Sequence, residues 1–434
     1  MNDDFVRWWA ARHRATKFAV RRIPFRELDA WHFEPGSGNL VHRSGRFFTV
    51  EGVKVEEGTA LSWSQPIINQ PEIGILGILV KEIGGVPHAL MQAKMEPGNV
   101  NTLQLSPTVQ ATRSNFTRVH RGSTTRYLEH FAGPAQGKVL VDSLQSEQGS
   151  WFWHKRNRNM VVETADDVPV REDFHWLSLP ALRSLLRRPN LVNMDARTVL
   201  ACMPMTPPEE AADPFTDALL RSYRASRGLH TTDEITSWLT EARTGCDWRT
   251  RLVPLAEVES WSRTENKIAN LDDKDFRILA VAVEAGNREV TRWTQPLLAP
   301  RGRALAGFLT AAFDGVLHLL VQARREPGLR DVVELAPTLH LTAGQDPGGH
   351  AFARDLLTVD RSRVRFDCVM SEEGGRFYHA LTRYMVVETR PGPPPDVPEG
   401  FRWVTVGQLT DLLRHGHYLN VEARSLLSCL HSLW

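Results

Sequence analysis

The feature that most constrains this chain is that it repeats itself. Trp63-Ser-Gln-Pro-Ile-Ile returns as Trp293-Thr-Gln-Pro-Leu-Leu, 230 residues further on. At the same spacing HALMQAKMEPG from His88 answers HLLVQARREPG from His318, and LSPTVQAT from Leu105 answers LAPTLHLT from Leu335. The spacing falls to 225 where SEQGSWFWHKRNRNMVVET from Ser146 meets SEEGGRFYHALTRYMVVET from Ser371, which puts five extra residues of the first copy in an intervening loop. It settles at 227 for Trp176 and Trp403, Asn193 and Asn420, and Ala196-Arg197 and Ala423-Arg424. A unit this long that occurs twice is a fused pair of modules rather than a solenoid. The expected organisation is an N-terminal module over residues 1–203, a connecting segment over 204–249 and a C-terminal module over 250–434. MPMTPPEEAADPF, with four prolines, reads as an extended linker ahead of helices at Thr216 to Arg224 and Asp233 to Arg243.

Within a module the periodicity is mostly two. From Leu103 to Thr112 the apolar residues Leu103, Leu105, Val109 and Ala111 alternate with Gln104, Ser106, Thr108, Gln110 and Thr112, and the second copy keeps the pattern. Further strands are expected at Gly74 to Lys81, His88 to Lys94, Lys138 to Leu144 and Asn159 to Thr164, with a turn at Glu96-Pro-Gly. Helices close each copy: Pro180 to Leu186 and Met194 to Cys202, then Val406 to Leu413 and Val421 to Leu430. Strands first and helices last predict an α+β fold, each module a mixed or antiparallel sheet with C-terminal helices.

Composition narrows the partners. A net charge of +1 removes the case for a general nucleic-acid or polybasic membrane surface. With 42% hydrophobic and 24% charged residues and no window near ~18 uninterrupted apolar positions, neither a disordered nor a membrane-spanning chain is expected. The N-terminus lacks the apolar run of a secretory signal, so a cytoplasmic location is expected. Cys202, Cys246, Cys368 and Cys429 are far apart and form no C-x-x-C, which predicts free thiols rather than disulfides or zinc.

The sharp catalytic motifs are missing: no H-E-x-x-H, G-x-S-x-G or G-x-G-x-x-G occurs. GPAQGKV from Gly133 falls one residue short of a phosphate loop and lacks its Ser or Thr. His415-Gly-His417 has no evident carboxylate partner, and Glu209, Glu210 and Asp213 sit in the proline-rich segment, so no metal site is expected. Two polar clusters occur in both halves. The first contains Gln92, Lys94, Glu96, Asn99, Gln104, Thr108 and Gln110, answered by Gln322, Arg324, Glu326, Glu334, Thr338 and His340. The second contains Glu147, Gln148, Lys155, Arg156, Arg158 and Asn159, answered by Glu372, Glu373, Arg376, Tyr378, Arg383 and Tyr384. Solvated strand edges are the alternative reading, but a solvent face tolerates drift, and Gln-Ala-basic-x-Glu-Pro-Gly has survived duplication. Asn99 against Leu329 and Lys155 against Ala380 show that the two copies cannot share one chemistry. Trp63 and Trp293 suit core positions, with stacking on a nucleobase as the alternative.

On WHFEPGSGNLVHRSGRFFTVEGV from Trp31, WSQPIINQPEIGILGILV from Trp63, QAKMEPGNVNTLQLSPTVQATRSNFTRVHRG from Gln92 and SEQGSWFWHKRNRNMVV from Ser146, the chain resembles the NDP-hexose 2,3-dehydratases of antibiotic deoxysugar biosynthesis. The resemblance runs over nearly the whole length. It implies two Nudix-like modules, a homodimer, a dTDP-4-keto-6-deoxyhexose substrate that loses its C2 hydroxyl as water, no cofactor, and a product passed to a 3-ketoreductase. For the acids and bases such a reaction needs, the sequence offers Glu147, Glu373 and Tyr378, with Glu96, Glu326 and Glu372 beside them, and does not choose among these. Lys94, Lys155, Arg156, Arg158, Arg324, Arg376 and Arg383 are the candidates for the diphosphate. Trp63, Gln92, Asn99, Gln104, Thr108, Gln110, Gln148, Trp293, Glu334, Thr338 and Tyr384 complete the substrate candidates. A Nudix-type hydrolase and a non-catalytic nucleotide-sugar binder are the alternatives. The first needs a metal-binding carboxylate helix that neither half contains.

Overall fold

The computed structural model describes residues 3–58, 61–112, 125–133, 137–286, 291–390, 392 and 396–434. Residues 113–122 of the third family-like stretch and 134–136 of the GPAQGKV segment lie outside these. Each half contains one large and one small sheet. The first large sheet holds Gly74–Ile83, Val86–Met95, Leu103–Ser106, Val109–Ala111, Lys138–Ser146, Arg156–Glu163 and Phe174–Ser178. It is mixed, because Arg156–Glu163 runs parallel to Gly74–Ile83 while the hairpin partner Val86–Met95 runs antiparallel. The second half repeats this with Leu381–Glu388 parallel to Arg303–Phe313. Together with the closing helices this is the expected α+β class.

One expected strand is two. Leu103–Ser106 pairs with Val86–Met95, whereas Val109–Ala111 pairs with Gly74–Ile83. Pro107 has no N–H for a ladder, and Thr108 spans the gap: its Oγ1 accepts from Leu79 N at 2.8 Å and donates to Leu90 O at 2.5 Å. Thr338 does the same between Leu309 and Leu320. The alternation predicts one wet face, but Gln104, Ser106 and Thr108 are all buried, because the polar face points into the junction between halves.

The halves exchange their first strands. Phe18–Ile23 lies antiparallel on Phe276–Ala285 of the second half's small sheet, while Trp248–Val253 lies antiparallel on Thr49–Glu57 of the first's. The boundaries at 203 and 250 therefore follow the repeat but not the sheets. Neither Phe18–Ile23 nor Trp248–Val253 is among the expected strands, and period-two polarity carries no information about which edge a strand will cover. The connecting segment folds as the helices Pro214–Arg224 and Thr232–Thr244, the former capped by Asp213, whose Oδ1 accepts from Phe215 N and Thr216 N.

The closing helices Met194–Cys202 and Val421–Leu430 pack on each other with every residue buried. Each starts at an asparagine whose side chain accepts from the third residue on, Asn193 from Ala196 N and Asn420 from Ala423 N. Each then sends one fully buried arginine across the junction. Arg197 donates to Val192 O at 2.8 Å and to Ser371 O of the other half at 3.0 Å. Arg424 donates to Leu419 O, to Ser146 O of the other half and, at 2.7 Å, to Thr198 Oγ1. A buried cation is tolerated only with its donors satisfied, and it satisfies carbonyls that would otherwise be dry and unpaired. Arg424→Leu is expected to lower unfolding stability by about 2–5 kcal/mol, read as the shift of the urea midpoint, because at least two buried acceptors lose their partner.

Candidate functional site

The junction is built from two matched turns. Gly98 N donates to Gly374 O at 2.7 Å and His379 N to Gly98 O at 2.8 Å. In the mirror copy Gly328 N donates to Gly149 O at 2.7 Å and His154 N to Gly328 O at 2.7 Å. A Cβ at Gly98 would stand 1.6 Å from Phe377 O, and one at Gly328 1.8 Å from Phe152 O, so both copies must keep Glu-Pro-Gly. Each half thereby inserts its Ser-Glu-Glx-Gly turn into the other.

On the first half this leaves a cavity of about 710 Å³. Its inner wall carries Gln92, Lys94, Glu96, Thr108, Gln110, Glu147, Lys155, Asn157 and Asp195, and the inserted turn of the second half adds Glu373 and Arg376. Trp31, Phe47 and Phe48 from the first small sheet and Trp293 from the second form its aromatic side. Glu96 Oε1 accepts from Gln110 Nε2 at 2.7 Å, with Lys94 Nζ 3.6 Å away. Glu147 Oε1 accepts from Asn157 Nδ2 at 2.5 Å, while its buried Oε2 has no hydrogen-bond partner. Lys155 donates to Glu72 O. Arg376 is held by Gln70 Oε1 at 3.0 Å and Gly375 O at 2.8 Å, its guanidinium 4.3 Å from the ring centre of Phe48.

Burial governs the charges here. It pushes Glu373 up to about 8, against the attraction of Arg376 and with the help of Glu147 and Glu96. It raises Glu147 as well, opposed by Arg424 and Lys155, and it lowers Lys155 to about 8. The cavity therefore contains a carboxyl, Glu373, that carries a proton near neutrality beside cations able to meet an anionic ligand.

Of the residues the sequence singles out, Gln92, Lys94, Glu96, Thr108, Gln110, Glu147, Lys155, Trp293, Glu373 and Arg376 line this cavity. Thr108 is spent on the backbone as described. The others lie elsewhere. Arg158 and Arg383 form bidentate pairs with Asp142 and Asp367 at 2.6–2.8 Å. Arg156 is half-buried beside the charge of Arg330, and Trp63 packs edge-on against Trp248 at 6.0 Å. Tyr378 stacks on His379 at 4.1 Å with the Arg22 guanidinium 4.9 Å from its ring centre. Asn99 is packed beneath Gly374. Gln104 donates to Ser371 Oγ at 2.5 Å, Ser146 Oγ donates to Glu334 Oε2 at 2.7 Å, and Gln148 donates to Glu372 Oε2 at 3.2 Å, so these side chains tie the halves together. Tyr384 OH, fully buried, donates to Glu372 Oε1 at 2.9 Å.

Arg324, Glu326 and Thr338 belong to the counterpart cluster in the second half. There Glu326, His340 and Glu422 bring one ligand atom each within 4.8 Å of one another. Asn420 uses its oxygen to cap Ala423, so its amide nitrogen faces His340 Nδ1 at 3.3 Å. That leaves Nε2 to carry the proton toward Glu422 Oε1, 3.6 Å away, and Arg324 Nε donates to Glu326 Oε1 at 3.2 Å. The imidazole lone pair is thus spent inside the protein. His417 does have a carboxylate neighbour, Glu334 at 3.8 Å from Nδ1, which the strand pattern did not reveal.

Sequence reading missed Asp195, Asn157 and, on the aromatic side, Trp31, Phe47 and Phe48. Only Asp195 left a signal: an acid at the second position of a capped helix, matched by Glu422 at the duplication spacing of 227.

The chain belongs to the NDP-hexose 2,3-dehydratase family, whose model matches residues 2–203 and 232–430. Its relatives are named dTDP-4-dehydro-6-deoxy-alpha-D-glucopyranose 2,3-dehydratase. One from Saccharopolyspora spinosa is 51% identical, covering 99% of this chain and 91% of its own length. One from Streptomyces violaceoruber is 48% identical, covering 99% and 97%. One from Amycolatopsis orientalis is 47% identical, covering 99% and 90%. A solved ADP compounds hydrolase aligns with 40% of this chain and 88% of its own at 18% identity and a TM-score of 0.26. The family is one of dehydratases, hydro-lyases acting on nucleotide sugars. Among the described residues no helix is long and apolar enough to cross a membrane.

Glu373 has a stability signature. Its folded carboxyl keeps a proton up to about pH 8 that the unfolded chain releases near the ordinary value of 4.5, so stability falls as pH rises between these limits. Glu373→Gln removes that slope: the variant is expected to gain in melting temperature over the parent at pH 8 relative to pH 5. Parallel calorimetric scans at the two pH values check it.

Proposed function

We propose that this chain is a dTDP-4-keto-6-deoxyglucose 2,3-dehydratase acting in the N-terminal cavity. The observation that carries the reading is the meeting of Glu147 and Lys155 from one half with Glu373 and Arg376 from the other in one buried site, in a chain about half identical to relatives of that name. Arg376, pre-oriented by Gln70 and Phe48, and Lys155 and Lys94 are placed to take the diphosphate, the first as a planar fork and the lysines as point charges. The aromatic side suits the thymine.

The chemistry needs no cofactor, because the C4 ketone of the sugar acidifies the C3 proton. Glu147, with one oxygen fixed by Asn157 and the other unbonded, is placed as the base at C3. Its pKa, raised by burial toward the working range, suits proton abstraction. Glu373, neutral below about pH 8, donates a hydrogen bond to O4 as the enolate forms. The electron pair then returns to re-form the C4 carbonyl, C2=C3 forms, and the C2 hydroxyl leaves as water. The enol at C3 tautomerises to a 3,4-diketo-2,6-dideoxy sugar, a reactive product suited to a 3-ketoreductase. Each half is read as Nudix-like on its mixed sheet and closing helices; a homodimer and a cytoplasmic location complete the proposal.

The test is to incubate the EDTA-treated protein with dTDP-4-keto-6-deoxyglucose in D₂O and follow the sugar by NMR and mass spectrometry. Loss of water with deuterium at C2 is expected. Glu147→Gln is expected to lower kcat by about 10²–10⁴-fold. Glu373→Leu should lower it by about 10²–10³-fold, and Glu373→Gln, which keeps a donor, by less. Arg376→Ala should act mainly on KM. Unchanged sugar from a protein that binds dTDP would overturn the reading and leave a binding protein.

A further inference from the structure

Base and oxyanion donor account for two of the three proton-handling tasks of the elimination; the departing hydroxide still needs an acid. Resting on the dehydratase reading, we propose that Asp195 is the catalytic acid that protonates the C2 hydroxyl as it leaves. Asp195 stands in the first turn of Met194–Cys202, which packs under Gly74–Ile83 and Arg156–Glu163, and its carboxyl lines the cavity although the residue is only 3% exposed. Among the described residues no hydrogen bond to its side chain is found, whereas Glu96 is engaged by Gln110 and Glu147 by Asn157. It is a buried carboxyl facing the cavity with its hydrogen-bonding capacity unspent, as a proton donor to a ligand requires.

The surroundings keep it protonated. Burial is the main cause; Glu147 on its own half's turn and Glu96 beyond the hairpin add to it, as does Glu373 on the inserted turn once it ionises, and Lys94 is the cation that opposes them. The helix amides also favour the anion, but burial and the neighbouring glutamates outweigh them, so the group titrates well above the ordinary range. A diphosphate in the same cavity adds negative charge and strengthens the effect. The second half has Glu422 at the matching position, one methylene longer and with Oε1 3.6 Å from His340 Nε2, whereas Asp195 lines the cavity.

In the step itself the O–H bond of Asp195 breaks as the C2–O bond breaks. The proton goes to the leaving oxygen, the C–O electron pair leaves with it, and water and an Asp195 carboxylate result. The carboxylate is reprotonated from solvent or by the enol as it tautomerises, so no oxidant or reductant is needed.

Asp195→Asn tests this in D₂O with the same substrate, against an enzyme-free control for spontaneous exchange. The amide is isosteric but has no proton to give. Water loss is expected to fall by about 10²-fold or more while Glu147 still opens the enolate, so deuterium accumulates at C3 of unconverted substrate. Binding of dTDP should stay within about threefold of the parent, since the acid works at the sugar. Elimination at the parental rate, or loss of exchange and elimination together, overturns the assignment, the latter because a structural role would remove both. A parent protein that binds dTDP yet neither exchanges nor dehydrates would overturn the functional reading itself, and is told apart because the parent is then silent too.

Discussion

Everything at the site depends on two glycines approaching carbonyls with no room for a side chain. The contacts of Gly98 with Gly374 and Phe377 bring a turn of the second half into the first, and those of Gly328 with Gly149 and Phe152 do the reverse. Because the partners are backbone, the docking cannot relax by a rotamer change. It delivers Glu373 and Arg376 to a cavity that Arg292, Thr294 and Gln295 of the second half also line and whose other polar residues come from the first half. The catalytic constellation is thus a property of the junction, and neither module owns it.

The same junction explains how two copies with nearly the same residues can differ in use. Both hold a Glu on the hairpin turn, an acid at the start of the closing helix and a Glu after the conserved serine. In the second half Leu329 stands where Asn99 stands in the first, pressed against Gly149, and His340 binds Asn420 and faces two glutamates. Each half keeps a buried carboxylate oxygen without a hydrogen bond, Glu147 Oε2 in the first and Glu422 Oε2 in the second, and it is Glu147 that lines the cavity.

Sequence made much of this readable. The duplication, the closing helices, whose bounds at Met194–Cys202 and Val421–Leu430 are those expected, and the two polar clusters all come from spacing and periodicity. Three things were out of reach. Which edge Phe18–Ile23 covers depends on the other half, and alternation describes a strand without its partner. Arg158 and Arg383 look like phosphate ligands in a one-dimensional cluster, but their cross-strand neighbours are aspartates. Asp195 lies 36 residues beyond Asn159, the end of the nearest cluster, and only the fold brings it near Glu147 and Glu96.

The exchanged strands also set a clock on synthesis. The first half's small sheet has an uncovered edge on Thr49–Glu57 until Trp248–Val253 has been made, and Phe18–Ile23 waits for Phe276–Ala285. At about 5–20 residues per second, the 50 residues between 203 and 253 keep that edge open for roughly 3–10 s after the first half is otherwise made. The N-terminal half is therefore a nascent chain with an exposed template for strand pairing, and crowded polysomes are where intermolecular exchange of that strand would compete with the correct closure.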